Sequence, residues 1–250
     1  MIQNIQKGIL HMEMINPQEW KKDLPAFKEK TDRFYAGELS KADYKGFSGG
    51  YGSYAQKDGK ASMIRLRMAG GHLTKDKLKF IADSIKTYNV DKVHLTTCQA
   101  IQLHNLQPEA IYGIMEGGLD HGIVTMGGGG DFPRNVTVSP LSGVQKGEYF
   151  NVLPYAEAAG EYLMTFIKKE VMPRKLKVGF SNGPANETHA TFRDLGFVAR
   201  EDGNFDVYSA GGLGNNARFG LKVAENVKPE KIRYYICAMR ETFIAHGNYK

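Results

Sequence analysis

Between Ala61 and Met126 the hydrophobic pattern switches between a period of two and a period near 3.6, in an order that few folds can accommodate. Residues 61 to 68 alternate, with Ile64, Leu66 and Met68 set against Arg65 and Arg67, and the run closes on Gly70-Gly71. This predicts a strand with two arginines on one face. Thr74 then caps a helix to about Tyr88 with the stripe Leu78, Ile81, Ile85. Lys92 to Thr97 returns to a strand, Ile101 to His104 adds another, Pro108 to about Met115 is helical, and Ile123 to Met126 is a short apolar run. Strand, helix, strand, strand, helix, strand is the order of a ferredoxin-like split βαβ unit. The fold class is therefore α+β.

The flanking segments read differently. A helical pattern from Pro17 to about Tyr35 is anchored by Trp20, Leu24, Phe27 and Phe34, and Pro25 kinks or splits it. Glycines from Gly46 to Gly59 then break the pattern. Later in the chain, Pro154 opens a helix with Ala159, Tyr162, Leu163 and Phe166 on one stripe. A basic strand follows at Lys175, then strand Phe205 to Ser209, and a final helix from Pro229 to Ala245 carries Ile232, Tyr235, Met239 and Phe243. These patterns divide the chain into a helical and loop extension over 1–59, the ferredoxin-like half-domain over 60–145, and an α/β domain over 146–250.

Composition narrows the chemistry. The 250 residues are 42% hydrophobic, enough for genuine cores. Thirty-three Lys and Arg against 27 Asp and Glu give a net charge of +6, which favours anionic partners. The two cysteines, Cys98 and Cys237, exclude a disulfide framework and fall short of the four thiolates that an all-cysteine iron-sulfur cluster or zinc site needs. No apolar stretch approaches the span of a membrane helix, and residues 1–10 lack the core of a signal peptide. A cytoplasmic protein without a membrane partner is expected.

The basic strand carries the first chemical signal. In Met172-Pro173-Arg174-Lys175-Leu176-Lys177, leading into Val178-Gly179-Phe180, strand alternation aims Lys175 and Lys177 to one face and Leu176 and Val178 to the other. Two ammonium groups side by side call for a solvated face or an anion. Upstream, the glycine run 127–130 leads into Asp131-Phe132-Pro133-Arg134, and Arg134 adds a fixed two-point fork for oxyanions. Together these residues suit a small oxyanion or a cofactor rich in carboxylates.

Other motifs carry less. His94 and His104 lie on adjacent predicted strands but lack a third ligand, so no metal is assigned. Gly127 to Gly130 lacks the lysine and hydroxyl of a phosphate loop and reads as a flexible approach to the basic pocket. Gly211-Gly212-Leu213-Gly214 lacks dinucleotide-fingerprint spacing. An RNA-binding ferredoxin-like fold would place aromatics on its central strands, and Arg65-Leu66-Arg67 and His94-Leu95-Thr96 offer none, so no nucleic-acid partner is expected.

Four blocks taken in order resemble the first half of the sirohaem-containing sulfite and nitrite reductases. They are Met63 to Gly71, His94 to Gln99 with Gln102-Leu103-His104, Arg134-Asn135-Val136, and Met172 to Lys177. Ala245-His246-Gly247-Asn248 is similar to that family's junction between halves. The resemblance implies that residues 146–250 are a sirohaem-reductase α/β domain. It also implies two cofactors in the intact parent, sirohaem and a 4Fe-4S cluster, and the six-electron reduction of sulfite to sulfide or nitrite to ammonia. By the same resemblance Arg134, Lys175 and Lys177 surround the substrate. Arg65, Arg67, Thr97, Cys98, Gln99, His104, Asn135, Gly211 and Gly212 fall in the surroundings of the macrocycle.

Two departures from the family qualify the expectation. The block Thr96-Thr97-Cys98-Gln99 carries Cys98 where the family has an arginine. Losing a charge-assisted hydrogen bond of about 1.5–3 kcal/mol would weaken anion binding by one or two decades. The family's cluster cysteines, which belong to the later half, are also absent. The chain is thus expected to need a C-terminal half or a partner subunit, to bind neither cofactor alone and to be inactive alone. The hydrophilic junction favours a parent cut at a domain boundary. The alternative is a partner-dependent or degenerate module that binds an anion or cofactor without catalysis. Sulfite against nitrite, and the electron donor, are left open.

Overall fold

The computed structural model describes residues 16–249. They form two compact units, one running up to Met68 and continuing over His72–Phe132, the other comprising Ala69–Gly71 and the residues from Pro133 on. The units cut the chain elsewhere than the sequence pattern does. The N-terminal helices belong to the first unit, and residues 133–145 belong to the second.

In the first unit, helices α1 (Pro17–Lys21) and α2 (Leu24–Tyr35) are separate, as Pro25 implies; the proline sits in the first turn of α2, where its missing N–H has no helical partner to lose. Helix α3 (Lys41–Ser48) follows, its N-cap Ser40 Oγ accepting from the Asp43 amide. A four-stranded antiparallel sheet is ordered β1-β2-β4-β3, from strands Ser53–Ala55, Ser62–Leu66, Val93–Leu95 and Ile101–Leu106. Helices α4 (Lys75–Thr87) and α5 (Pro108–Asp120) cross over between strands, and α1 and α2 pack on α5. Phe27, Ile64, Leu66, Leu103, Ile111 and Ile114 are fully buried together with this layer.

The ferredoxin-like order is therefore present, with two differences. The predicted last strand shrinks to one antiparallel bridge, Val124 with Arg67. The rest of that sheet edge is taken by β1, which lies inside the glycine stretch expected only to break the pattern. Gly52, at φ +77°, makes this edge possible because a Cβ there would lie 2.1 Å from the Thr125 carbonyl oxygen. Thr74 caps α4 as predicted, yet Leu78 is exposed and Ile81 with Ser84 forms the buried stripe.

The second unit is a mixed five-stranded sheet in sequential order, β5 (Thr137–Val138), β6 (Val178–Ser181), β7 (Leu195–Ala199), β8 (Phe205–Ser209) and β9 (Leu221–Val227). The first three strands are parallel and the last two pairings antiparallel. Helices α6 (Leu153–Met164) and α7 (Ile232–His246) supply Tyr155, Ala159, Leu163, Ile232 and Ile236 to the core. Within it Phe180 stacks on its cross-strand neighbour Phe197 at 4.7 Å, and Phe205 meets both edge-on at 6.0 Å. Strands β5, β7 and β9 were not predicted. The first is two residues long, the second is interrupted by Gly196, and the third is exposed along most of its length, so none has a clear period. Among the described residues no helix is long and apolar enough to cross a membrane.

Candidate functional site: a basic face on each unit

In the second unit the basic residues meet through one irregular pairing. Pro133 bridges Leu176 in parallel, and the Arg134 amide donates to the Leu176 carbonyl at 2.8 Å. Further on, Thr137 pairs with Gly179. Four residue steps on one strand (133 to 137) thus match three on the other (176 to 179), so the segment Arg134–Val136 holds one extra residue. Such a bulge re-aims side chains and is enriched beside active sites. Leu176 and Val178 are buried on the core side, which leaves half-buried Lys175 and Lys177 on the other. The Arg134 backbone therefore lies beside Leu176, whose neighbours along the chain are Lys175 and Lys177. Asn135, within the bulge, is buried.

Two further residues of this face were missed. The Lys177 amide donates to Asp194 Oδ2 at 2.7 Å, because β6 and β7 run parallel and place residues 177 and 194 side by side. Burial pushes the Asp194 carboxyl above the ordinary carboxylate range, against the opposing pull of the Lys177 amide and the charges of Lys177 and Arg193. Arg193 lies over Gly179, where a Cβ would stand 3.1 Å from its Cγ. Its Nη2 donates to the Thr188 carbonyl at 3.0 Å, while its buried Nε makes no hydrogen bond. Gly211 supports this wall: its amide donates to the Arg193 carbonyl at 3.0 Å, and a Cβ would stand 2.5 Å from Phe192 Cα. Gly212 pairs with Arg218 and is open around its Cα. Neither Asp194 nor Arg193 carries a local signal; only the β6–β7 pairing finds them.

The first unit presents its own row. Arg65, Gln102 and His94 are cross-strand neighbours on β2, β4 and β3. With its oxygen turned toward Arg65, the Gln102 amide accepts from Nε at 3.1 Å and Nη2 at 2.7 Å, which leaves its nitrogen 3.3 Å from His104 Nε2. The His94 and His104 rings stack at 6.5 Å. Burial, then the charges of Lys92 and His94, holds the His104 pKa below the ordinary imidazole value, so the ring is a neutral acceptor near pH 7. Thr97, Cys98 and Gln99 form the turn between β3 and β4, closed by the Gln99 amide on the Thr96 carbonyl and with Gln99 at φ +53°. Cys98 is half-buried there.

The glycine run 127–130 is a brace instead of a flexible approach. Arg65 Nη1 donates to the Gly128 carbonyl, and Arg67, only 2% exposed, donates to the Met126 carbonyl at 2.8 Å. The Gly130 amide donates to Tyr54 Oη at 2.9 Å, and a Cβ on Gly129 would stand 1.9 Å from that same oxygen. Gly129 is glycine because no side chain fits between Tyr54 and the Gly49 carbonyl, and a Cβ on Gly128 would stand 2.7 Å from the Thr125 carbonyl oxygen. Arg67 thereby has an internal structural duty beside any contact with a ligand.

Among the described residues no three His, Cys, Asp or Glu side chains converge as a metal site.

The nitrite/sulfite reductase ferredoxin-like half domain matches residues 54–118, and the nitrite and sulphite reductase 4Fe-4S domain matches residues 129–250. The chain belongs to the sirohaem-dependent nitrite and sulfite reductase family. It is 30% identical over 219 residues to an assimilatory ferredoxin-dependent nitrite reductase of Haloferax mediterranei, covering 79% of this chain and 37% of that protein. It is 30% identical over 160 residues to a ferredoxin–nitrite reductase of Synechococcus elongatus, covering 60% of this chain and 31% of that protein. The sulfite reductase [NADPH] hemoprotein beta-component of Acidithiobacillus ferrooxidans is 28% identical over 180 residues, covering 62% and 32%. The NirA protein of Mycobacterium tuberculosis shares the fold, with a TM-score of 0.72 at 22% identity over 94% of this chain and 48% of that one. The chain spans about a third of the length of the curated relatives it matches.

The two cofactors fit this chain differently. Residues 129–250 match a domain described by its 4Fe-4S cluster yet contain a single cysteine, Cys237, so they do not fit an all-cysteine cluster. A carboxylate-bearing macrocycle suits the chemistry of the second unit's donors, since Arg193 lies over Gly179 with an unsatisfied buried Nε and the Arg134 backbone pairs with the segment that carries Lys175 and Lys177.

Proposed function

We propose that this chain forms the anion-facing wall of a nitrite or sulfite reductase and works with a cluster-bearing complement, whether the remainder of a longer polypeptide or a separate subunit. The observation that supports this reading is the bulged pairing of Arg134 with Leu176, which sets the Arg134 backbone beside the segment that carries Lys175 and Lys177. Sirohaem, when bound, supplies an iron that holds the anion and relays electrons. The remaining chemistry belongs to side chains. Arg134 offers a two-point fork to a carboxylate or an oxyanion, and Arg193, over Gly179, offers a second guanidinium. Lys175 and Lys177 supply counter-charge to the anion, and their Nζ atoms are proton sources for the oxygens that must leave as water. Asp194 positions this group by fixing the Lys177 backbone. In the first unit, Arg65 is held in place by Gln102 and the Gly128 carbonyl.

A second reading, a partner-dependent module that binds anion or cofactor without turning over substrate, is favoured by one residue, Cys98 in place of the family arginine. Two measurements test the proposal. The chain purified alone from cells that make sirohaem is expected to be colourless, and a stoichiometric coloured complex would overturn the need for a complement. In the assembled enzyme, Lys175→Met or Lys177→Met is expected to lower turnover more than sirohaem content. Equal losses of both, or no loss, would remove the lysines from the chemistry.

A further inference from the structure

The row Arg65, Gln102 and His94 lies on the side of the first unit's sheet opposite buried Ile64 and Leu103, and strand alternation brings His104 to the same side. The Gln102 side chain stands between a guanidinium and an imidazole, and its amide has two ends of opposite character. The oxygen accepts from Arg65 Nε at 3.1 Å and Nη2 at 2.7 Å, which uses both of its lone pairs. The nitrogen is left to donate to His104 Nε2, 3.3 Å away. Gln102 is only 9% exposed, so water does not readily replace either bond.

This arrangement tolerates one protonation state of His104. A neutral ring with a free Nε2 lone pair accepts from the amide. A proton on Nε2 sets two donors face to face, and the amide relieves the conflict only by turning its oxygen to the ring. The turn points its NH₂ group at Arg65 Nε and Nη2, which are donors and cannot accept, so both bonds to the guanidinium are lost together. Arg65 then keeps its bond to the Gly128 carbonyl.

Other groups also act on the ring. Burial opposes a proton on His104 most strongly, then the charges of Lys92 and His94, while Asp91 favours one. The His94 ring stacks on that of His104 at 6.5 Å, and Tyr54, Lys57 and Asp58 from the β1–β2 hairpin share a surface hollow with it. These influences do not pass through Gln102, whereas the influence of Arg65 does.

We propose that His104 and Gln102 form a proton-operated latch on Arg65: the neutral imidazole keeps the guanidinium pinned through the amide, and protonation turns the amide and frees Nε and Nη2. His104 is thus a positioning residue, and two donors of a charged group become available on this face as pH falls. The latch is built within the first unit and does not depend on the reductase reading.

The test is an NMR titration of the full chain from about pH 8.5 to about pH 5, across the imidazole range. It follows the His104 ring and the Arg65 Nε–Hε resonance, assigned by their loss in His104→Gln and Arg65→Lys, with His94→Gln marking the second ring. In the unsubstituted chain the Arg65 resonance is expected to move with a midpoint equal to the His104 pKa. Gln102→Met should raise that pKa by about one unit, the loss of a roughly tenfold preference for the neutral ring, and Arg65 should cease to follow it. Arg65→Lys keeps the charge and removes the fork. It should raise the His104 pKa by about half a unit or more beside Gln102, and leave it unchanged beside Gln102→Met. An Arg65 resonance that stays fixed while His104 titrates in the unsubstituted chain overturns the latch. So does a His104 pKa that Gln102→Met leaves where it was, or one that Arg65→Lys shifts equally in both backgrounds.

Discussion

Replacing Gly129 with alanine asks whether the glycine run is a packed brace for the first unit's arginines. The added Cβ would stand 1.9 Å from Tyr54 Oη, 2.4 Å from Tyr54 Cζ and 2.5 Å from the Gly49 carbonyl oxygen. The tyrosine ring can swing aside, but doing so breaks the 2.9 Å bond that it accepts from the Gly130 amide, a loss of about 1 kcal/mol. The Gly49 carbonyl is backbone and must shift with the 3-10 turn Gly49–Tyr51 that it opens, which puts the strain in the range of overpacked cores, about 1–3 kcal/mol. The expected destabilisation is therefore about 2–4 kcal/mol, large against a typical domain stability of about 5–15 kcal/mol, yet compatible with folding. Urea unfolding followed by circular dichroism measures it. A cycle with Tyr54→Ala isolates the clash: with the ring gone, only the Gly49 contact remains, and the alanine should cost at least about 1 kcal/mol less. A penalty below about 0.5 kcal/mol, or two substitutions that simply add, would refute the packed-brace reading. Because the Met126 and Gly128 carbonyls hold Arg67 and Arg65, the same substitution should also lower sirohaem content in the assembled enzyme.

Two further outcomes follow from the basic faces. The folded state holds the Asp194 proton more tightly than the unfolded chain does, so this residue's contribution falls as pH rises from the unfolded carboxylate value of about 3.9 through the higher folded one. Asp194→Asn should therefore raise the urea midpoint at pH 7 relative to the unsubstituted chain and lose that advantage near pH 3.5; a pH-independent difference would contradict it. Cys98→Arg in the assembled enzyme should strengthen nitrite or sulfite binding by up to about tenfold to a hundredfold and steepen its dependence on salt, whereas an unchanged affinity and slope would place the β3–β4 turn away from the anion.

What the sequence determined about this protein is what is local. The alternation over Ser62–Leu66, the Thr74 cap, the split at Pro25 and the shared face of Lys175 and Lys177 all depend on residues within one turn or two strand steps, and such parities survive whatever the chain packs against. The family blocks added Arg134 to the lysines by resemblance. Tertiary structure decided the rest. The extra residue in Arg134–Val136 exists only relative to Leu176–Gly179, forty residues away, and Asp194 reaches Lys177 only because β6 and β7 run parallel. Arg67 reads on the sequence as a charge on an open strand, and the fold buries it on the Met126 carbonyl. The glycine run reads as slack, and steric contact with Tyr54 makes it rigidly placed. In each case the decisive partner is distant in sequence, and hydrogen bonding and excluded volume between such segments leave no period, cap or spacing that a linear reading can detect.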